Sequence, residues 1–176
     1  MSGATLFGEV EAARRGMGGH ESTGSDSEVW LTPPEVLEAL GAFDLDPCAC
    51  MEPRPWPTAA RHFTRLENGL LREWSGRVFC NPPYGQDAIR PWVKRMASHG
   101  RGVLLVFART ETTWFHESVW GAASGVLFLR GRLHFHRPDG SRAAGAGAPS
   151  CLAAYGADDA AMLQACGLAG QWVALR

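Results

Sequence analysis

The tetrapeptide Asn81-Pro82-Pro83-Tyr84 is the segment of this sequence whose residue types point most directly to chemistry. In a chain of 176 residues with 11 Pro and 2 Tyr, such a tetrapeptide arises by chance with a probability of roughly 10⁻⁴. Two prolines after a strand also make a stiff turn, but a purely structural turn requires neither the asparagine nor the tyrosine. We therefore interpret Asn81, Pro82, Pro83 and Tyr84 as catalytic residues.

This turn carries the groups needed to activate a conjugated amine, which is a poor nucleophile because its lone pair is delocalised. A catalyst must hold the two N–H hydrogens out of the substrate plane, and the Asn81 side-chain carbonyl with an adjacent backbone carbonyl can accept them. The prolines fix the backbone and remove competing N–H donors, while the ring of Tyr84 can stack on a planar substrate. The turn predicts group transfer to an amine on an aromatic or amide carbon.

A second polar set follows the short apolar segment Phe43-Asp44-Leu45. Asp46 comes at its end, and Pro47 stops strand pairing as the chain enters a proline-dotted loop that extends to Pro57. Asn81 likewise follows the apolar segment 77–80. Because ligands of open α/β sheets bind at the carboxyl ends of the strands, we expect Asp46 and Asn81 to line one crevice.

The elements that must position these residues are predicted from apolar spacing. Strand-like segments are 43–45, 77–80, 102–107, 126–129, 150–155 and 172–175, with a further segment at 132–136. Helical patterns cover 32–41, capped by Thr32 and ended by Gly41, then 88–98, 112–120 and a helix beginning at Asp158. The alternation predicts an α/β fold with a mostly parallel sheet flanked by helices.

Length and composition favour one globular domain. At 45% hydrophobic and 20% charged residues, the chain can bury a core of its own. Residues 1–27 are rich in glycine and serine and lack apolar periodicity, so we expect a flexible leader, with residues 28–176 as the single domain. The net charge of −1 neither requires nor excludes a nucleic-acid partner.

Several protein classes are disfavoured. The apolar run 102–108 is too short to cross a bilayer, and the N-terminus lacks the pattern of a signal peptide. The 5 cysteines form an odd set without a framework spacing, and the Cys48-x-Cys50 pair has no partner pair to complete a metal site. We therefore expect a cytoplasmic protein with reduced thiols, no bound metal and no membrane contact.

In a series of segments the sequence resembles the Asn-Pro-Pro-Tyr amino-methyltransferases, and most closely the small phage-type, Dam-like DNA N6-adenine methyltransferases. The matching segments are Trp30-x-Thr32-Pro33, Phe43 to Ala49, Gly69-Leu70 with Trp74, Asn81 to Gly85, Ala108-Arg109-Thr110 with Trp114-Phe115-His116, and Gly131-Arg132-Leu133-x-Phe135. The resemblance implies a Rossmann-like fold, S-adenosylmethionine as methyl donor, S-adenosylhomocysteine as product, and double-stranded DNA as substrate. No separate target-recognition domain is apparent, and the sequence does not indicate which oligomeric state the protein adopts.

The resemblance also implies roles for individual residues. Those expected to bind the cofactor are Trp30, Thr32, Pro33, Asp44, Asp46, Pro47, Cys48, Ala49, Glu67 and Asn68. A carboxylate at the strand end suits the ammonium and sulfonium charges of this cofactor. Phe135 would lie on the opposite side of a flipped base from Tyr84. The sequence has no GxGxxG loop and offers no clear acidic residue for the ribose hydroxyls.

A basic run near Phe135 is the predicted DNA contact. It comprises Arg130, Arg132, His134, His136, Arg137 and Arg142, interrupted by one acid, Asp139. We assign DNA binding to Arg130, Arg132 and Arg137, next to a flexible stretch, 143–148, that can order on a duplex. The alternative interpretation is a solvated hairpin.

The sequence thus predicts an adenine-N6 methyltransferase that acts on DNA by direct transfer, without a covalent enzyme intermediate. Methylation of cytosine N4 or of a protein glutamine amide remains an alternative, as does a non-catalytic nucleic-acid-binding module of the same fold. Pro47-Cys48 and Glu67-Asn68 also match parts of cytosine-5 methyltransferase signatures. Gly69 occupies the third position of the second signature, which disfavours that covalent chemistry.

Overall fold

Short strands and helices alternate along the described part of the chain, residues 29–84 and 88–176 of a computed structural model. The strands are β1 (Leu45–Asp46), β2 (Arg61–His62), β3 (Val78–Cys80), β4 (Gly102–Phe107), β5 (Gly125–Leu129), β6 (Ser150–Tyr155) and β7 (Gly170–Ala174). The helices are α1 (Pro34–Leu40), α2 (Ile89–His99), α3 (Thr113–Phe115), continued by a π-helical turn at His116–Trp120, and α4 (Ala157–Ala165), with a 3₁₀ turn at Gly69–Leu71. The predicted leader, residues 1–27, lies outside the described residues.

The strands form one sheet in the order β2-β1-β3-β4-β6-β5-β7. Pairing is parallel from β2 through β4 and antiparallel from β4 through β7. The predicted α/β class is confirmed, but a mostly parallel sheet is not. The reason is that β6, between β4 and β5, and β7, at the edge beside β5, run opposite to the other strands, so three pairings are antiparallel.

The predicted bounds agree best with the observed ones where an element is a long apolar run. The structure gives β4 and β6 the predicted residues, and α2 begins and ends one residue later than predicted. The two-residue strand β2 was missed because Arg61 and His62 have no apolar pattern. Thr32 does not cap α1, whose N-cap residue is Pro33. None of the described helices has the length and apolar character of a membrane span.

The sheet is covered on both faces, and β4 shows how. Leu104 and Val106 pack on one side, in a cluster that includes residues of α2 and α3. Val103 and Leu105 pack on the other side, with residues of α1 and α4. Since successive strand residues point to opposite faces, one apolar run supplies both core layers.

A hairpin over residues 132–146 extends this core beside α1. The Ala143 N–H donates to the Phe135 carbonyl and the Ala146 N–H to the Leu133 carbonyl, both at 2.8 Å. Leu31 pairs with His136 through two backbone hydrogen bonds of 2.9 and 3.0 Å. The predicted flexible stretch 143–148 is therefore paired in part, and the basic run lies within this hairpin.

Candidate active site

A cleft of about 990 Å³ opens at the carboxyl ends of β1 and β3. Asp46 and Asn81 both line it, as the positions of the two strand ends predict. The predicted site residues along its wall are Trp30, Thr32, Asp46, Pro47, Cys48, Ala49, Asn68, Asn81, Pro82, Pro83 and Tyr84. The structure thus brings the proline turn and most of the proposed cofactor segment to one place.

The Asn81 side chain is held in one orientation. Its Nδ2 donates to the backbone carbonyl of Trp30 at 3.1 Å and to Oγ1 of Thr32 at 3.3 Å. The hydroxyl of Tyr84 donates to Asn81 Oδ1 at 3.2 Å. Because the Trp30 carbonyl can only accept, the amide nitrogen must face it, and the amide oxygen faces Tyr84.

The ring of Tyr84 packs on the aromatic core beside the cleft. It stacks on Phe107 with 4.2 Å between ring centroids and meets Phe135 edge-on at 6.5 Å. The Tyr84 hydroxyl also lies 3.3 Å from the carbonyl of Leu105. Burial raises the pKa of Tyr84 well above its ordinary value, so the hydroxyl is a neutral hydrogen-bond donor.

Asp46 is a buried carboxylate, 4% exposed. It accepts hydrogen bonds from the Cys48 N–H, at 3.0 Å, and from the hydroxyl of Thr58. Burial raises the pKa of Asp46 to about 6, although these hydrogen bonds and the nearby Arg54 oppose the shift. A cation placed beside Asp46 would favour its ionised form.

Two thiols lie between the cofactor segment and the proline turn. Sγ of Cys48 is 3.7 Å from Sγ of Cys80 and donates to the backbone carbonyl of Asn81 at 3.3 Å. The contact with Cys80, together with burial, raises the pKa of Cys48 well above its ordinary value. A thiol in this environment is a poor nucleophile, which argues against the covalent cytosine-5 chemistry suggested by Pro47-Cys48.

Three residues predicted to bind the cofactor do not line the cleft. Asp44 is exposed, and its carboxylate accepts the N–H of Arg77 at 2.6 Å, just before β3. Glu67 is exposed and accepts the N–H and hydroxyl of Thr64 at 2.6 and 2.8 Å, which lowers its pKa. Pro33 is buried at the start of α1. Asp44 and Glu67 therefore stabilise local backbone in this structure.

The residues assigned to the target base and DNA also lie outside the cleft wall. Phe135 is 4% exposed and contacts the rings of Tyr84 and Phe107, so it supports the site from the core. Arg130 and Arg132 are exposed and border a separate hollow beside α1. Arg137 is exposed and donates to the Ser141 hydroxyl at 3.4 Å. The hairpin turns Phe135 inward and leaves these arginines outside.

Sequence reasoning missed the cleft residues contributed by the loop after Pro47. Trp56 donates its indole N–H to the Thr32 carbonyl at 3.0 Å, Thr58 binds Asp46, and Arg54 lines the wall. The signal was the loop itself, because polar and aromatic residues directly after a site strand are placed at the same sheet edge. Within residues 29–84 and 88–176, no group of three His, Cys, Asp or Glu side chains could hold a metal ion.

Comparison with known proteins identifies the family. The family model of the DNA N-6-adenine-methyltransferases (Dam) matches residues 20–154, which is more than half of the chain. No curated protein and no solved structure matches this chain. The matched region contains Asp46, the turn from Asn81 to Tyr84 and the hairpin. The chain belongs to the Dam family and is a DNA adenine-N6 methyltransferase.

Proposed function

We propose that the chain methylates specific sites in double-stranded DNA by direct transfer from S-adenosylmethionine to N6 of an adenine flipped out of the helix. The observation that carries this proposal is the oriented Asn81 amide, which shares one cleft with the buried carboxylate of Asp46. Neither a metal ion nor a covalent enzyme intermediate takes part. The parallel strands β2-β1-β3-β4 are the basis for proposing a Rossmann-like fold.

The donor set of the cleft fits this cofactor. S-adenosylmethionine supplies a methyl group made electrophilic by a sulfonium charge. Asp46 would hold the α-ammonium group of the methionine part, because a nearby positive charge stabilises the ionised form of a buried carboxylate. Thr32, Ala49 and Asn68 line the same cleft and would complete the cofactor site.

Asn81 would act on the target amine. Its Oδ1 accepts the Tyr84 hydroxyl in this structure, and its second lone pair is available to an N–H of an incoming adenine amine. One amine hydrogen would then bind Oδ1 and the other a backbone carbonyl of the turn, which turns the nitrogen lone pair out of the ring plane. As the new N–C bond forms, the methyl–sulfur bond of the donor would break and S-adenosylhomocysteine would leave, and the extra proton on the nitrogen would pass to water.

The Trp30 and Thr32 contacts set the direction of that hydrogen bond. Both occupy the amide nitrogen of Asn81, at 3.1 and 3.3 Å. They leave the amide oxygen as the group presented to the substrate. Thr32 is therefore proposed as a positioning residue for catalysis in addition to its expected place beside the cofactor.

Analysis of the product tests this function. We would incubate the protein with unmethylated duplex DNA and methyl-labelled S-adenosylmethionine, digest the DNA to nucleosides and map the labelled positions. Label in N6-methyladenine at a repeated sequence is the expected result, with a single-stranded oligonucleotide of the same sequence as the comparison. Label in N4-methylcytosine, or DNA that stays unlabelled, would overturn the proposal.

A further inference from the structure

Arg54 is a cleft residue to which neither the sequence motifs nor the mechanism assigns a role. It lies in the loop that follows Pro47, and its side chain is 13% exposed. Its Nη1 is 2.7 Å from the Glu52 carboxylate, and its Nη2 donates to the Cys50 carbonyl at 3.1 Å. These contacts hold the guanidinium on the cleft wall.

The guanidinium retains unused hydrogen-bonding capacity. Arginine carries five N–H donors in a planar fork that matches a carboxylate. The Nε of Arg54 is buried and has no partner among the described residues. Nη1 and Nη2 carry two hydrogens each, so each can donate to a ligand in the cleft in addition to its contact with Glu52 or Cys50.

Arg54 and Asp46 provide opposite charges on one wall without pairing with each other. Both line the cleft, and Arg54 is close enough to lower the pKa of Asp46. The carboxylate oxygens of Asp46 are bound instead by Cys48 and Thr58. An acid and a base that face one cavity separately are complementary to an α-amino acid zwitterion.

We infer that Arg54 binds the α-carboxylate of the methionine part of S-adenosylmethionine, while Asp46 binds its α-ammonium group. This inference rests on the proposed function and adds the ligand group that Arg54 recognises. Arg65 is the competing residue, because it also lines the cleft. Arg65 is exposed, whereas Arg54 is mostly buried, so Arg54 is the stronger partner for a carboxylate.

Titration calorimetry with two ligands tests the assignment. S-adenosylmethionine carries both charged groups, and decarboxylated S-adenosylmethionine keeps the ammonium and the sulfonium but lacks the carboxylate. We expect the wild-type protein to bind the first ligand about 10- to 100-fold more tightly, the range for a charge-assisted hydrogen bond. Arg54→Met should remove this preference and leave the affinity for the decarboxylated ligand within about twofold.

Two further variants test whether the effect requires the guanidinium group and whether it is specific to Arg54. Arg54→Lys retains a positive charge without the planar fork and should lose several-fold in affinity for S-adenosylmethionine only. Arg65→Met is the matched control and should bind both ligands like the wild type. Equal weakening of both ligands in Arg54→Lys, or selective weakening in Arg65→Met, would overturn the assignment of Arg54.

The outcome for the wild-type protein separates the two proposals. If it binds both ligands and prefers neither, the role of Arg54 is wrong while the proposed cofactor stands. If it binds neither ligand, the proposed cofactor is wrong, and the assignment of Arg54 is overturned with it.

Discussion

The sheet half formed by β2, β1 and β3 and the half formed by β6, β5 and β7 differ in how they are held together. The first three strands are only 2, 2 and 3 residues long. In the other half the strands have 6, 5 and 5 residues, and β6 pairs with β4 along its whole length. Every predicted site residue on the cleft wall comes from or near the half with short strands.

Polar side chains replace the missing strand pairing around the site. Asn81 binds the Trp30 carbonyl at 3.1 Å, Trp56 binds the Thr32 carbonyl at 3.0 Å, and the Trp74 indole binds the Gly69 carbonyl at 2.8 Å. The first two bonds join segments 51 and 24 positions apart in the sequence, whereas the third closes a local turn. The half with long strands is held by backbone pairing, whereas the half with short strands depends more on side-chain contacts and lines the candidate cleft.

The largest expected effect on stability concerns the buried ion pair that joins the start of β3 to helix α4. Arg77, just before β3, lies 2.6 Å from Asp159 of α4, and their side chains are 12% and 4% exposed. Asp159→Ala leaves the Arg77 charge unpaired, so the free energy of unfolding should fall by about 3–5 kcal/mol in urea denaturation. Asp158→Ala, an exposed neighbour, is the control, and an equal loss there would contradict the role of the pair.

A smaller effect is expected at the cofactor end of the cleft. Asp46→Ala should weaken binding of S-adenosylmethionine by about 1–3 kcal/mol, because it removes a charge-assisted partner of the ammonium group. Calorimetry measures this, with Asp44→Ala as the matched control outside the cleft. Unchanged affinity in Asp46→Ala would show that the cofactor binds elsewhere.

The raised pKa of Asp46 makes cofactor binding depend on pH. In the free protein this pKa is about 6, so the carboxyl group is mostly neutral at pH 5 and ionised at pH 7.5. If the cofactor requires the ionised form, its affinity should fall about tenfold between pH 7.5 and pH 5. Asp46→Asn should show a much flatter dependence, and an equally steep one would assign the titration to another group.

Stability of the free protein should respond to Asp46 in the opposite direction. The pKa of Asp46 is higher when folded, about 6, than its ordinary value of 3.8. Its contribution to stability is therefore fully present below pH 3.8 and is lost as the pH rises through 6. Comparing the pH dependence of Tm in the wild type and Asp46→Asn isolates this contribution.

The smallest effect is expected for the basic hairpin, which lies outside the cleft wall. Neutralising Arg132 and Arg137 should reduce the slope of log affinity against log salt by up to about two units, since each phosphate contact contributes about one. Affinity for the cofactor should not change. Arg101→Gln, on another loop, is the control. An unchanged slope would identify the basic run as a solvated surface.

Much of the sheet was predictable because its longest strands are continuous apolar runs. The bounds of β4 and β6, and the position of Asn81 after β3, follow directly from that pattern. The antiparallel insertion of β6 was not predictable, because strand direction depends on which neighbours pair and on how the chain crosses over.

The site was predictable where a motif follows a strand and less so where a loop folds back. Asp46 and Asn81 were placed together by the strand-end argument. Arg54, Trp56 and Thr58 were missed because they reach the cleft through a proline-dotted loop whose path depends on tertiary contacts. The buried position of Phe135 was also missed, since its basic neighbours suggested a solvent-facing surface.

Single-turnover methylation by Asn81→Ala tests the central claim, that the oriented Asn81 carbonyl activates the adenine amine. The rate should fall about 10²- to 10³-fold, because a preorganised contact made mainly in the transition state is lost. Affinity for S-adenosylmethionine should stay within about twofold, and Tyr84→Phe, which keeps the ring, should be much milder. A near-normal single-turnover rate in Asn81→Ala would contradict the mechanism.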